Sequence, residues 1–144
     1  MGRTASGVKA IRLRKNNFVA GLDIIKMIPK SPPAPELRRA GEIRNPKLLT
    51  VMANGFAKQT PLKEYKIQKR GGSGIKTAKI TAKTGLVIAI NVVDESFEAV
   101  LAFSKKGQVI KTEIKNVRLA GRATQGVRIM NLNKDDELIG IVCL

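Results

Sequence analysis

Ser73-Gly74-Ile75-Lys76-Thr77-Ala78-Lys79-Ile80 and Gln125-Gly126-Val127-Arg128-Ile129-Met130-Asn131-Leu132 are two copies of one segment, and Ser6-Gly7-Val8-Lys9-Ala10-Ile11-Arg12-Leu13 is a third. Their glycines stand at 7, 74 and 126, so the second spacing is 52 residues and the first 67. At the 52-residue offset the match runs on without gaps. Asn54-Gly55 lies over Lys106-Gly107, Lys69-Arg70 over Gly121-Arg122, and Leu86-Val87 over Leu138-Ile139. Self-similarity at such a period is the mark of stacked or ringed structural units.

The longer first spacing carries 15 extra residues, and five of the six prolines lie between Pro29 and Pro46. Proline cannot donate a ladder hydrogen bond, so this stretch fits poorly in a central strand. Residues 27–47 read as a proline-rich, exposed insert loop between two strands. The Pro32-Pro33 pair reads as passive extended chain rather than as a ligand for a partner module. Glu36 to Ala40 could form a short helical turn after Pro35. Arg38 and Arg39 would then offer auxiliary basic contacts.

Leu48–Met52, Leu86–Val93, Ala99–Phe103 and Leu138–Val142 are short, apolar, β-branched runs separated by turn residues, as strands are. Asn54-Gly55 and Lys106-Gly107 each fall between two runs, where a hairpin needs its turn. Useful helical periodicity is missing. The expected fold is all-β: a propeller-like pinwheel with about four antiparallel strands per blade, forming an incomplete ring of about three blades. The whole chain, 1–144, forms one partial domain: a partial blade at 1–26, the insert at 27–47, a blade at 48–99 and another at 100–144. Ile11, Ala78 and Met130 should face the core, and Phe56, Phe97 and Phe103 should fill it. Met1 opens in the middle of a repeat, which is expected of an excised fragment or of a chain whose upstream repeats lie elsewhere.

The 144 residues hold 27 Lys plus Arg against 11 Asp plus Glu, a formal net charge of +16. So one-sided a balance points to a polyanion as partner. The longest apolar stretch, Leu86 to Ile90, is far short of the ~20 residues of a membrane span, and no signal peptide follows Met1. Histidine is absent and Cys143 is the only cysteine. That excludes His-assisted nucleophiles, the commonest metal ligand and an internal disulfide. A cytoplasmic setting and no catalytic residue, metal or cofactor are expected.

Cations recur at equivalent repeat positions. Lys9, Lys76 and Arg128 form one set. Arg12 and Lys79 form a second, broken by Asn131. Arg3, Arg70 and Arg122 form a third, just before the repeated segment. An isolated lysine means only a solvated face. The same cation on successive units makes a continuous positive track, and B-DNA offers a phosphate charge every ~1.7 Å along its axis. Arg70, Lys76, Arg122 and Arg128 should share one outer rim. Gly71, Gly72 and Gly74 follow Lys69-Arg70 directly, and a glycine-rich turn lets backbone amides approach phosphate closely. The candidate DNA-binding residues are therefore Arg3, Lys9, Arg12, Lys69, Arg70, Gly71, Gly72, Gly74, Lys76, Lys79, Arg122 and Arg128. With four Phe, one Tyr and no Trp, base-stacking platforms for single strands are scarce, which favours duplex backbone. Tyr65 lacks an Arg-Tyr pair and an acidic cluster, and its counterpart is Val117, so it reads as a structural position. Asp135-Asp136-Glu137 reads as a solvated turn rather than a metal site.

Met1–Leu13, Leu48–Lys76, Ser104–Ile114 and Leu119–Leu132 resemble successive blades of the C-terminal β-pinwheel of the DNA gyrase A subunit; a similar domain occurs in the topoisomerase IV A subunit. The likeness covers nearly the whole chain outside the insert. It implies a disc whose basic rim bends duplex DNA around itself without reading sequence, and so helps a bacterial ATP-dependent type IIA topoisomerase to supercoil negatively. It also implies as partners double-stranded DNA, the remainder of the A protein and, through it, the ATPase B subunit, in a cytoplasmic, nucleoid-associated setting, with no membrane or small-molecule substrate. Gln68–Gly74, QKRGGSG, resembles the family's gyrase box, with Lys69 and Ser73 in place of an Arg and a Lys. Gly140–Leu144 looks like the close of a last blade. The rival reading from composition is a protein-interaction propeller for acidic partners.

Overall fold

The computed structural model describes residues 6–25 and 45–144. Arg3 and most of the proline-rich insert, with Arg38, Arg39 and the helical turn expected at Glu36–Ala40, lie outside the described residues. Among the described residues seven strands follow in order: β1 Lys47–Met52, β2 Phe56–Pro61, β3 Val87–Val93, β4 Ala99–Ser104, β5 Val109–Glu113, β6 Val127–Arg128 and β7 Leu138–Cys143. They make two antiparallel sheets, one of four strands in the order β3-β1-β2-β6 and one of three in the order β5-β4-β7.

The apolar runs become β1 and β4, each flanked by a strand on both sides, and β3 and β7, which end the two sheets. β1 sits between β2 and β3, and its last four residues are buried. Gly55 at φ +80° and Gly107 at φ +84° turn the β1–β2 and β4–β5 hairpins, a left-handed conformation that costs glycine little. The second strand of each hairpin carries no apolar run. β2 reads FAKQTP and β5 reads VIKTE. Hairpin pairing, rather than pattern, makes them strands. Each is followed by one 3-10 turn, Leu62–Glu64 and Ile114–Asn116, again 52 residues apart.

One core joins the sheets. Leu49, Val51, Ala57 and Val93 of the first sheet pack with Val100, Ala102 and Leu138 of the second, and with Ile114, Val117, Ile129 and Met130. Burying each Leu, Val, Ile or Met side chain among them contributes roughly 1.5–3 kcal/mol. Met52, Phe56 and Ala78 form a smaller cluster. Phe56 is buried, Phe97 is half-buried against the main core, and Phe103 is half-buried on β4.

The first copy of the repeated segment behaves differently from the third. Residues 127–128 of the third copy form β6 and pair with β2, which carries Met130 beneath the hairpin. Residues 6–25 form no strand. Ile11 makes only an isolated parallel bridge to Gly72 and stays 42% exposed. The expectation that Ile11 faces the core is therefore corrected. Ala78 and Met130 do face it, because each is covered by a β1–β2 element, whereas no hairpin of the described residues lies over Ile11. The far end of the segment is tied down by Asp23, whose Oδ2 accepts from Val92 N on β3 at 2.7 Å.

Candidate nucleic-acid interface

The cation-bearing segments meet the glycine-containing loops of the next unit through a contact that occurs twice. Arg12 N donates to Gly72 O at 2.8 Å, and Lys79 N donates to Thr124 O at 3.0 Å. Arg12 and Lys79 are repeat equivalents, and so are Gly72 and Thr124. Gly71 N adds a bond to Ala10 O at 2.9 Å. The first junction therefore gathers Lys9 and Arg12 with Lys69 and Arg70. The second gathers Lys76 and Lys79 with Arg122. Gly71 at φ +71° and Gly74 at φ +74° give the loop its left-handed turns, and a Cβ on Gly72 would crowd Lys69 O at 3.2 Å.

Lys58 holds the second junction in place, a role its sequence does not announce. It stands on β2 inside FAKQTP and is fully buried. Its ammonium donates to Gly121 O at 2.7 Å, to Arg122 O at 2.5 Å and to Thr124 Oγ1 at 3.3 Å. Burial lowers its pKa from the ordinary lysine value, and the Glu64 carboxylate opposes that shift. Glu64 Oε2 accepts from Arg122 N at 3.2 Å. The neighbouring Gln59 donates its Nε2 to Ile114 O and Val117 O at 2.7 and 2.8 Å. The loop bearing Arg122 is thus clamped from below by a buried cation and from one side by a carboxylate, while its outer face stays open.

Lys9, Arg12, Lys69, Arg70, Lys76, Lys79 and Arg128 are exposed, and Arg122 is half-buried. None of these eight pairs with a carboxylate of the described residues. The ion pairs found there are Lys105–Glu137 at 3.4 Å and Lys115–Glu113 at 3.1 Å. Arg128 lies on β6 with its guanidinium 5.3 Å from the Phe56 ring centroid, and Lys83 Nζ lies 5.8 Å from the same centroid. Lys83 was not among the residues singled out from the sequence. It has no counterpart in the repeated sets, and only the fold brings it beside Arg128. Two cations on one ring concentrate positive potential, since each is drawn to the ring face.

Two side features are structural. Tyr65 hydrogen-bonds Thr77 through its hydroxyl, while its counterpart Val117 is buried. Asp136 Oδ1 accepts from Lys106 N at 3.0 Å and Glu137 N at 2.9 Å, and so caps the turn facing the β4–β5 hairpin. Desolvation acts to raise the Asp136 pKa, but hydrogen bonds from Ser104, Lys106 and Glu137 outweigh it, and the net shift is downward.

Residues 1–26, 47–94 and 98–144 match the DNA gyrase C-terminal domain, beta-propeller family. The A subunit of DNA gyrase from Staphylococcus epidermidis is 36% identical over 142 residues, which cover 99% of this chain and 14% of that protein. Its counterpart from Streptomyces coelicolor is 37% identical over 141 residues, covering 98% and 14%. A solved DNA gyrase A C-terminal domain superposes with a TM-score of 0.64 at 28% identity, over 69% of this chain and 33% of its own. The C-terminal domain of a DNA topoisomerase IV superposes with a TM-score of 0.62 at 23% identity, over 70% of this chain and 30% of its own, a likeness of fold. The chain therefore spans about one seventh of the length of the gyrase proteins it matches.

Proposed function

Because this chain belongs to the DNA gyrase C-terminal domain family, the C-terminal domain of a type IIA topoisomerase A subunit, we propose that it binds duplex DNA along a basic rim and bends it without reading sequence. The observation that carries this reading is the recurrence of one junction. The same backbone bond, Arg12 to Gly72 and Lys79 to Thr124, recurs between consecutive units, which supports equivalent places for their cations, with Gly121 standing where Lys69 does. Arg70, Lys76, Arg122 and Arg128 serve as the phosphate contacts, with Lys9, Arg12, Lys69 and Lys79 beside them. Gly71, Gly72 and Gly74 bring backbone close to the strand. Such contacts position a duplex and carry no sequence information. As part of a longer A protein, the domain would present DNA to the rest of that protein and to the ATPase B subunit during supercoiling.

Binding is tested with two duplexes of unrelated sequence across a salt series. If roughly 5–8 phosphates are neutralised, log K falls against log salt with a slope of about −4.5 to −7, equal for both duplexes. Arg122→Ala and Lys79→Ala should each reduce that slope by about 1. A duplex labelled at both ends reports bending as an approach of the labels. A flat salt response, or tight binding to an acidic protein instead, would favour the protein-interaction reading.

A further inference from the structure

Lys83 stands on a turn that the β1–β2 hairpin braces. Asn54 N donates to Thr84 O at 3.0 Å, and its Nδ2 donates to Ala82 O at 2.9 Å and to Lys83 O at 3.1 Å. Thr84 is fully buried, and its Oγ1 accepts from Thr81 N at 3.0 Å. Gly85 closes the turn at φ +71°, with room for a Cβ only 3.0 Å from the Ala53 Cβ and from Asn54 Oδ1. The backbone of Lys83 therefore has a fixed place relative to Phe56, which follows Asn54-Gly55 at the start of β2.

The brace recurs one unit later, but the cation does not. Lys106 is the counterpart of Asn54, and its Nζ donates to Lys134 O at 2.7 Å. Asp135 stands at the position of Lys83, and Gln108 at that of Phe56. The turn holds with either sign of charge upon it, so its architecture does not require Lys83. Yet the Lys83 ammonium lies 5.8 Å from the centroid of a ring that already carries the Arg128 guanidinium at 5.3 Å. Both side chains are exposed, and neither pairs with a carboxylate of the described residues. Two like charges so close to one point repel. The ring face attracts each of them, but only an anion shared by both removes the repulsion. Arg128 donates from Nη1 to Asn131 Oδ1 at 3.3 Å. The rest of its planar fork remains for a ligand, and that fork suits two oxygens of a phosphate, with a lysine as a point charge beside it.

We propose that Lys83 and Arg128, seated on Phe56, jointly hold one phosphate group of the duplex. The proposal rests on duplex binding along the rim and adds to it a contact that is not repeated in the next unit. One shared phosphate has its own signature. The slope of log K against log salt counts neutralised phosphates, at about 0.9 each. With either cation gone, the other still neutralises the phosphate, so affinity falls but the slope stays. With both gone, the slope falls as well.

Duplex titrations across a salt series test this. Lys83→Met, which keeps an apolar stem over the ring, and Arg128→Met should each weaken binding several-fold and leave the slope unchanged. The double variant should lower the slope by about 0.9. Lys83→Arg should bind as the unsubstituted chain does. Lys105→Ala, whose lysine is paired with Glu137, is the control and should change neither quantity. Unchanged affinity in Lys83→Met would overturn the proposal and leave duplex binding standing. So would a slope that already falls by about 0.9 in each single variant and by about twice that in the pair, since two separate phosphates are then contacted. If the unsubstituted chain binds no duplex, the duplex reading fails by itself, and inorganic phosphate decides the site. Amide shifts around residues 83 and 128 in nuclear magnetic resonance spectra at millimolar phosphate, lost in the double variant, would uphold the paired cations as a phosphate site. Their absence would overturn it.

Discussion

Gly126→Ala and Gly107→Ala separate backbone conformation from close packing. The two glycines share a left-handed φ, +77° and +84°. Alanine in that region costs roughly 1–2 kcal/mol, offset by about 0.4–1 kcal/mol from a less flexible unfolded chain. Gly107→Ala meets no atom within 4 Å, so it should cost only the net of these, about 0.5–1 kcal/mol. At Gly126 the new Cβ would stand 2.4 Å from Ala57 O, 2.9 Å from Ala57 C and 3.0 Å from the Lys58 Cβ. Relieving that requires β2 and β6 to part by about 1 Å, which strains packing by about 1–3 kcal/mol. It also weakens the Ile129 N to Gly55 O bond, a further ~1 kcal/mol. Gly126→Ala should therefore cost about 2.5–5 kcal/mol in all. At roughly 3 °C per kcal/mol for a chain this size, melting followed by circular dichroism at low micromolar concentration should fall by about 10 °C, against about 2–3 °C for Gly107→Ala. Equal losses would refute the close approach of β6 to β2 and the repeat register built on it.

Lys58→Met leaves the Gly121 and Arg122 carbonyls without their donor, so urea denaturation should show a loss of about 2–3 kcal/mol, together with a several-fold drop in DNA affinity as the Arg122 loop loosens. Burial lowers the Lys58 pKa, so between that value and the ordinary 10.5 the unfolded chain holds the extra proton. Raising pH through that window should stabilise the native protein relative to Lys58→Met; a difference independent of pH would mean that the ammonium is not buried as described. Burial, with the Asp23 carboxylate as second cause, raises the Cys143 thiol pKa, so iodoacetamide should alkylate it more slowly at neutral pH than a cysteine peptide, with the rate still climbing where the peptide's has levelled off. Alkylation at the peptide's rate would place Cys143 in open solvent.

The period of 52 residues, the turns at Gly55 and Gly107, and strands β1, β3, β4 and β7 are legible in the sequence, because each rests on local chemistry. Apolar β-branched runs bury themselves, and glycine marks where the chain must go left-handed. The recurrence of the cations is legible too, because it rests on the repeat alone; their exposure is not, since Arg70 is exposed and its equivalent Arg122 half-buried. β2 and β5 are not legible: FAKQTP and VIKTE become strands only because a hairpin carries them back along β1 and β4. Nor is the difference between Ile11 and Met130. Identical positions in the repeat part ways because a neighbouring hairpin covers one and not the other, and no local pattern encodes a neighbour. Lys58 is the clearest case. Its sequence neighbourhood marks it as one more surface charge, yet the fold buries it and turns its ammonium on the loop of the next unit. The sequence by itself determines the repeat and its charge; which cations become framework and which stay open to a polyanion is decided by tertiary packing, because burial belongs to the space between units rather than to either unit alone.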